Sequence, residues 1–173
     1  MKHNHISKPG YTTLQTVGLT ILRVMIGWHF LYEGLIKFST PGWSAKSYLM
    51  ASVGPFSPLF KSLAASETML QITDVMNMWG LVLIGLGLFL GFCSRISAFS
   101  GLLLLTFYYL SYPPFADFAM TGFVDGNYWI VNRNLIEMGA LFVLMIFPSG
   151  HLTGLDRLLC FRKRNHGKEP VQN

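Results

Sequence analysis

Four long apolar runs separated by polar segments dominate the pattern along the chain. They lie at about residues 12–38, 69–91, 94–112 and 129–147, and the last three contain almost no charge. About 20 mainly apolar residues in a helix cross the hydrocarbon core of a bilayer, so each run is long enough to span a membrane. The pattern therefore predicts an all-α, integral membrane four-helix bundle that occupies residues 1–173 as one domain.

The segment between the first two runs predicts a structured extracytoplasmic loop. It contains Pro41, Pro55 and Pro58 and two short amphipathic stretches, WSAKSYLMAS and LFKSLAAS. Neither stretch can cross the bilayer, so we expect short interfacial helices there. The second and third runs are joined by the tight turn GFCSR.

Composition and charge agree with a membrane protein. The chain is 51% hydrophobic and 12% charged, whereas an average soluble domain is about 25% charged. The net charge of +5 does not indicate nucleic-acid binding, because the basic residues do not cluster beside exposed aromatic ones. Basic residues in short flanking segments stay in the cytoplasm. We therefore expect both termini, including the basic tail 151–173, on the cytoplasmic side of the membrane.

The cysteine and histidine content argues against a metal centre. Cys93 and Cys160 form no C-x-x-C motif, and we expect both to be small buried residues. His29 is the one histidine within the runs, which excludes a bis-histidine haem. A metal site is also disfavoured, because Lys37 and Arg133 would compete for the nearby carboxylates.

The first run carries charged residues, which are costly inside a bilayer and typically mark function. One arc of about 120° on this helix, at 100° per residue, holds Arg23, Ile26, His29, Phe30, Glu33 and Lys37. Gly27 and Gly34 lie beside the arc, where the missing side chains let another helix approach closely. We assign a structural role to both glycines and to Arg23.

The other runs supply complementary groups at a similar depth. Trp129, Arg133 and Glu137 share a face of the fourth run, and the second run adds Asp74 and Asn77. A rise of 1.5 Å per residue places Asp74 and Arg133 about 6 to 8 Å inside the outer boundary, level with Glu33.

Specific ion pairs follow from these depths. We expect Glu33 to pair with Arg133, because a planar guanidinium matches a carboxylate. Arg133 and Glu137 are also spaced as an i,i+4 pair. Asp74 is expected to contact Lys37 or Arg133, and Arg23 to contact Glu137 or a backbone carbonyl. Such pairs can hold helices together or serve chemistry, and the residues leave both open.

Three segments resemble the DoxX/DoxD family of small four-helix membrane proteins: LRVMIGWHFLYEGLIKF, GLGLFLGFCSR and NRNLIEMGALFVLMIFPSG. The last segment is more similar to the DoxD branch, which includes the small subunit of thiosulfate:quinone oxidoreductase. The resemblance implies a membrane subunit that passes electrons from an extracytoplasmic donor to quinone beside a protein partner. It marks Arg23, Gly27, Glu33, Gly34, Lys37, Arg133 and Glu137.

Two functional hypotheses follow. In the first, quinone is the cofactor, the catalytic residues are His29, Glu33, Arg133 and Glu137, and the binding residues are Trp28, Phe30, Lys37, Asp74, Asn77 and Trp129. In the second, the protein is a non-catalytic anchor or assembly protein for a partner oxidoreductase. A transporter is disfavoured, because four spans show no inverted halves. The donor and the oligomeric state, including a homo-oligomer, stay open.

Overall fold

The computed structural model describes residues 11–114, 127–128, 130–147 and 149–156. Trp129, Cys160 and most of the basic tail lie outside these ranges. The elements in chain order are α1 (Thr13–Ser39), α2 (Lys46–Met50), α3 (Ser57–Ala65), α4 (Glu67–Leu90), α5 (Ser94–Ser111), β1 (Asn127–Tyr128), β2 (Val131–Asn132), α6 (Arg133–Ile146) and α7 (Gly150–Thr153).

Two of the described helices, α1 and α4, are long and apolar enough to cross a membrane. Their 27 and 24 residues correspond to about 40 and 36 Å, more than the roughly 30 Å of a hydrocarbon core. Both helices turn large apolar side chains outward, including Met25 at 66% and Met76 at 70% exposure. Such a surface fits contact with lipid, since soluble proteins rarely expose wide apolar patches.

The helix predicted at residues 129–147 begins four residues later than expected. Asn127 and Tyr128 pair antiparallel with Asn132 and Val131, so this stretch is a short β-ribbon. The Asn132 side chain then accepts a hydrogen bond from the Leu135 amide at 3.0 Å and caps α6. The 14 residues of α6 span about 21 Å, less than a hydrocarbon core.

Four helices share one apolar core. The buried residues come from α1, α4, α5 and α6, and they are Ile26, Phe30, Leu81, Ile84, Leu88, Ala98, Leu105, Leu141 and Leu144. A second, smaller cluster joins α2 to α3 through Ala45, Leu49, Phe60 and Ala64. Both amphipathic stretches of the first loop thus form helices. We call the end where α1 stops and α2 and α3 lie the loop end.

Helices α1 and α4 approach closely at glycines. A Cβ added to Gly27 would lie 3.1 Å from the Gly85 carbonyl oxygen, and one added to Gly34 would lie 3.0 Å from the Val82 amide nitrogen. Helices in lipid gain little from hydrophobic burial, so close van der Waals packing at small residues has to hold them together. These two glycines therefore set the distance between α1 and α4.

The opposite end, which we call the turn end, is closed by a tight connection between α4 and α5. Gly91 and Cys93 adopt positive φ angles of 68° and 48° there. The Asp156 carboxylate accepts hydrogen bonds from the Cys93 amide at 2.8 Å and the Ser94 hydroxyl at 3.1 Å. Cys93 is exposed, so the expectation that it is buried is wrong. The turn places its side chain outside the core.

Candidate functional site

A polar chamber lies at the loop end, between α1, α4, α5, α6 and the first loop with α2. It consists of an inner cavity of about 60 Å³ and an outer cavity of about 400 Å³, which share Lys37, Tyr108, Arg133 and Asn134 in their walls. The charged residues and the histidine that line the chamber come from α1 and α6: His29, Glu33, Lys37, Arg133 and Glu137. The fold thus brings together residues more than 90 positions apart in the sequence.

A short hydrogen bond between His29 and Glu137 joins α1 to α6 across the inner cavity. The Nδ1–Oε1 distance is 2.6 Å. When the carboxylate is ionised, Nδ1–H is the donor and Nε2 is the free ring nitrogen. Nε2 lies 4.0 Å from Glu33 Oε1. The second carboxylate oxygen, Glu137 Oε2, is buried and has no hydrogen-bond partner among the described residues.

His29, Glu33 and Lys37 form a polar row along α1 that leads towards the outer cavity. Lys37 Nζ lies 3.6 Å from Glu33 Oε2, which is the i,i+4 geometry of a helix surface pair. The same ammonium stands 5.5 Å from the centre of the Trp43 ring, within range of a cation–π interaction. The row therefore runs from the core to an aromatic residue of the loop.

The expected Glu33–Arg133 ion pair is absent among the described residues, although both side chains line the chamber. Glu33 contacts His29 and Lys37 instead, and Glu137 contacts His29 rather than Arg133. The reason is the late start of α6. Arg133 is its first residue, so its exposed side chain sits at the chamber mouth instead of one turn inside a longer helix.

Asp74 has a structural partner and does not line the chamber. Its Oδ1 accepts a hydrogen bond from the Ala45 amide at 2.8 Å. The predicted contact with Lys37 or Arg133 is therefore wrong, because the backbone that leads into α2 passes closer to Asp74 than either cation. Asp74 ties the first loop to α4.

Asn77, one turn further along α4, does line the outer cavity. Its Nδ2 donates a hydrogen bond to the Tyr108 hydroxyl at 2.6 Å. Its Oδ1 is buried and has no partner among the described residues. The Tyr108 hydroxyl accepts this bond, so its own proton is free to be donated into the chamber.

Arg23 is 3% exposed and belongs to the turn end rather than to the chamber. Its guanidinium fills the space beside Gly91 and Gly154, where a Cβ on either glycine would collide with it. The suggested contact with Glu137 is wrong, because His29 occupies that carboxylate six residues, about 9 Å, further along α1. Arg23 is a packing residue between α1, the α4–α5 turn and the segment after α6.

The aromatic residues around the chamber differ from those predicted. Trp28 is 53% exposed and packs on the outside against Tyr32 and Phe89, with both ring centroids 6.2 Å away. It precedes His29 by one residue, a rotation of about 100° that turns it away from the cavity. Phe30 borders the inner cavity from within the core. Trp129 lies outside the described residues.

Two tyrosines of the chamber wall, Tyr48 and Tyr108, are not among the residues that the sequence marked for the site. The rings of Tyr48 and Tyr108 lie 5.9 Å apart, and the Tyr48 hydroxyl donates to the Tyr108 carbonyl at 3.2 Å. Desolvation by burial raises the pKa of the Tyr48 phenol, so it remains protonated and a donor at neutral pH. No local sequence pattern predicts that α2 folds back onto α5, which is the contact that brings these two tyrosines together.

The helices and the chamber together define a membrane protein with an ionisable site at one end of its helical core. Among the described residues, no three His, Cys, Asp or Glu side chains are grouped as a metal ion would require. Residues 18–112 match DoxX, more than half of the chain, and the chain belongs to the DoxX family of membrane proteins. No curated protein and no solved structure matches it.

Proposed function

We propose that this DoxX protein is a DoxD-like subunit that passes electrons from an extracytoplasmic donor to quinone. In this proposal α1, α4, α5 and α6 are four spans of a bacterial cytoplasmic membrane, both termini are cytoplasmic, and the loop end faces outward. The donor is a sulfur compound or a partner dehydrogenase that docks on the first loop. The observation that carries the proposal is the His29–Glu137 hydrogen bond inside a chamber that also holds Glu33.

The chamber suits a quinone head group in size and in hydrogen bonding. Its outer cavity of about 400 Å³ falls within the roughly 300 to 1,000 Å³ typical of small-molecule sites. Quinone oxygens accept hydrogen bonds, which Lys37, Arg133 and the Tyr108 hydroxyl can donate. The hydroxyls of the reduced form donate instead, and two buried acceptors, Glu137 Oε2 and Asn77 Oδ1, have no other partner among the described residues.

The polar row of His29, Glu33 and Lys37 provides the protons of the proposed reaction. Reduction of a quinone to a quinol consumes two electrons, which the external donor supplies, and two protons. Imidazole ordinarily titrates near neutral pH, and Glu137 holds Nδ1 of His29 so that Nε2 is the nitrogen that exchanges protons. Glu33 lies 4.0 Å from that nitrogen. It contacts Lys37, which lines both cavities and so connects Glu33 to the outer cavity and to water at the loop end.

A second candidate function is a non-catalytic anchor or assembly protein for a partner oxidoreductase. Asp74 and Asp156 favour it. Asp74 holds the Ala45 amide, Asp156 holds the Cys93 amide, and neither carboxylate lines the chamber. In this alternative the His29–Glu137 pair only joins α1 to α6, and the first loop is the surface that holds the partner.

Purified protein and membranes distinguish the two functions. We expect the purified wild type to retain quinone, and membranes that carry it to reduce quinone with donor present. Glu33→Gln keeps the size of the side chain but removes its charge, and His29→Phe removes the proton carrier. Each should lower quinone reduction by about a hundredfold or more, the contribution typical of a general acid–base group.

The matched control is Glu67→Gln, which removes an exposed carboxylate at the start of α4 and should leave reduction unchanged. Folded protein is quantified in every membrane preparation. Wild-type rates in both chamber variants would contradict the redox proposal and favour the anchor.

A further inference from the structure

An apolar groove lies beside the polar chamber, between α2, α3, α4 and α5. Its volume is about 430 Å³, and six of the apolar side chains in its wall are Leu59, Phe60, Leu63, Met76, Leu103 and Phe107. Along α4 it extends from Thr73 to Ile84, a rise of about 16 Å. The groove is therefore elongated along the helices, as a hydrocarbon chain would be.

The groove and the chamber meet at one wall. Both cavities are lined by Ala45, Tyr48, Asn77 and Tyr108. The buried Asn77 Oδ1, which has no partner among the described residues, belongs to this wall. A ligand with a polar head and an apolar chain matches the change from a polar to an apolar lining across it.

Gly80 gives the groove part of its width. A glycine inside a helix is less stable than alanine, and at Gly27 and Gly34 the close approach of α4 explains why glycine is present. At Gly80 a Cβ would meet nothing within 4 Å. No neighbouring helix requires this glycine, and the missing side chain leaves space in the groove instead.

We propose that this groove holds the hydrocarbon chain of the quinone whose head group occupies the polar chamber. This inference rests on the proposed function. A long substituent on a head group in the chamber needs a path to lipid, and the groove supplies an apolar path that begins at the chamber wall. The chain gains little by leaving lipid, so the groove acts mainly by fit, admitting quinones according to the length and shape of the chain.

Two ligands, two substitutions of Gly80 and one control substitution test the proposal. The ligands are a benzoquinone with a ten-carbon alkyl chain and the same head group with a methyl in its place. Gly80→Phe, with Gly80→Leu as a smaller alternative, fills the groove from a position with room for the new Cβ. Gly18→Phe is the matched control, because Gly18 also lies in a helix with nothing within 4 Å of an added Cβ and lines none of the cavities described above.

Binding is measured with protein in lipid nanodiscs, after subtraction of binding to empty nanodiscs. Each ligand is compared between variants, so its partition into lipid cancels. We expect Gly80→Phe to lower the affinity for the long-chain quinone by about tenfold or more, because crowding a packed site typically has an effect of this size. The methyl analogue should bind within about twofold of wild type, and Gly18→Phe should change neither affinity.

The outcomes separate the two proposals. If wild type binds neither quinone, the proposed function fails and this inference fails with it. If wild type binds both but Gly80→Phe and Gly80→Leu leave the long-chain affinity unchanged, or weaken both ligands equally, the groove assignment is overturned and the proposed function stands. Loss of a co-purifying phospholipid from Gly80→Phe, with both quinone affinities unchanged, identifies a lipid as the occupant and also overturns it.

Discussion

His29 Nδ1 and Glu137 Oε1 lie 2.6 Å apart and connect the first and the last long helix of the described chain. The two residues are 108 positions apart. His29 lies just past the middle of α1, and Glu137 lies about one turn inside the start of α6. The Glu137 side chain is only 10% exposed, so the pair is shielded on the α6 side and reaches the chamber mainly through His29.

Removal of either partner should destabilise the protein. Glu137→Ala leaves His29 without its acceptor, and His29→Ala leaves a buried carboxylate unpaired, so we expect a loss of about 1 to 3 kcal/mol for each. The double variant should lose less than the sum of the two, with a coupling energy of about 0.5 to 3 kcal/mol. Reversible unfolding in mixed detergent micelles measures all four forms. Additive losses would show that the two side chains do not interact.

Helix packing between α1 and α4 should depend on Gly27 far more than on Gly18. Gly27→Ala forces a Cβ against the Gly85 carbonyl, and overpacking of this kind costs about 1 to 3 kcal/mol. The Cβ of Gly18→Ala meets open space. This variant should therefore raise the free energy of unfolding by about 0.5 to 1 kcal/mol, because alanine has less backbone freedom to lose than glycine. Thermal unfolding of the two variants in the same detergent gives the comparison. Equal effects at both positions would contradict the close approach.

The first loop should loosen when Asp74 loses its oxygen. Asp74→Ala removes the acceptor of the Ala45 amide and should destabilise the attachment of α2 by about 1 to 2 kcal/mol. Asp74→Asn keeps an acceptor and should retain most of the stability. Limited proteolysis of residues 40–66 reports the change, with Glu67→Gln as the control. Rapid cleavage of the Asn variant would show that charge, not the hydrogen bond, holds the loop.

Labelling of Cys93 tests the orientation proposed above. Because Cys93 is exposed, failure of a membrane-impermeant maleimide to label it in intact cells reports the side of the membrane rather than burial. We expect no labelling in intact cells, labelling after the membrane is opened, and labelling of Ser57→Cys in both conditions. Cys160→Ser provides the background that isolates the Cys93 signal. Labelling of Cys93 from outside would reverse the orientation.

The sequence by itself determined the apolar helices and the chemistry available to the site. Length and hydropathy are properties of a single segment, so α1 and α4 could be predicted within about two residues. The polar face of α1 follows from helical periodicity alone, which is why His29, Glu33 and Lys37 could be placed on one side before any neighbour was known.

Only the tertiary structure decided which groups meet. Depth counting placed Glu33, Asp74 and Arg133 at one level, but contact also depends on rotation and on where each helix begins. Asn132 caps α6, so this helix begins four residues later than hydropathy predicts. Arg133 therefore lies at the chamber mouth, and Glu137 forms its hydrogen bond with His29. The first loop determines the remaining contacts of the site, because the path of α2 brings Ala45 to Asp74 and Tyr48 to Tyr108. A chain in a loop is positioned by contacts distant in sequence, which no local pattern encodes.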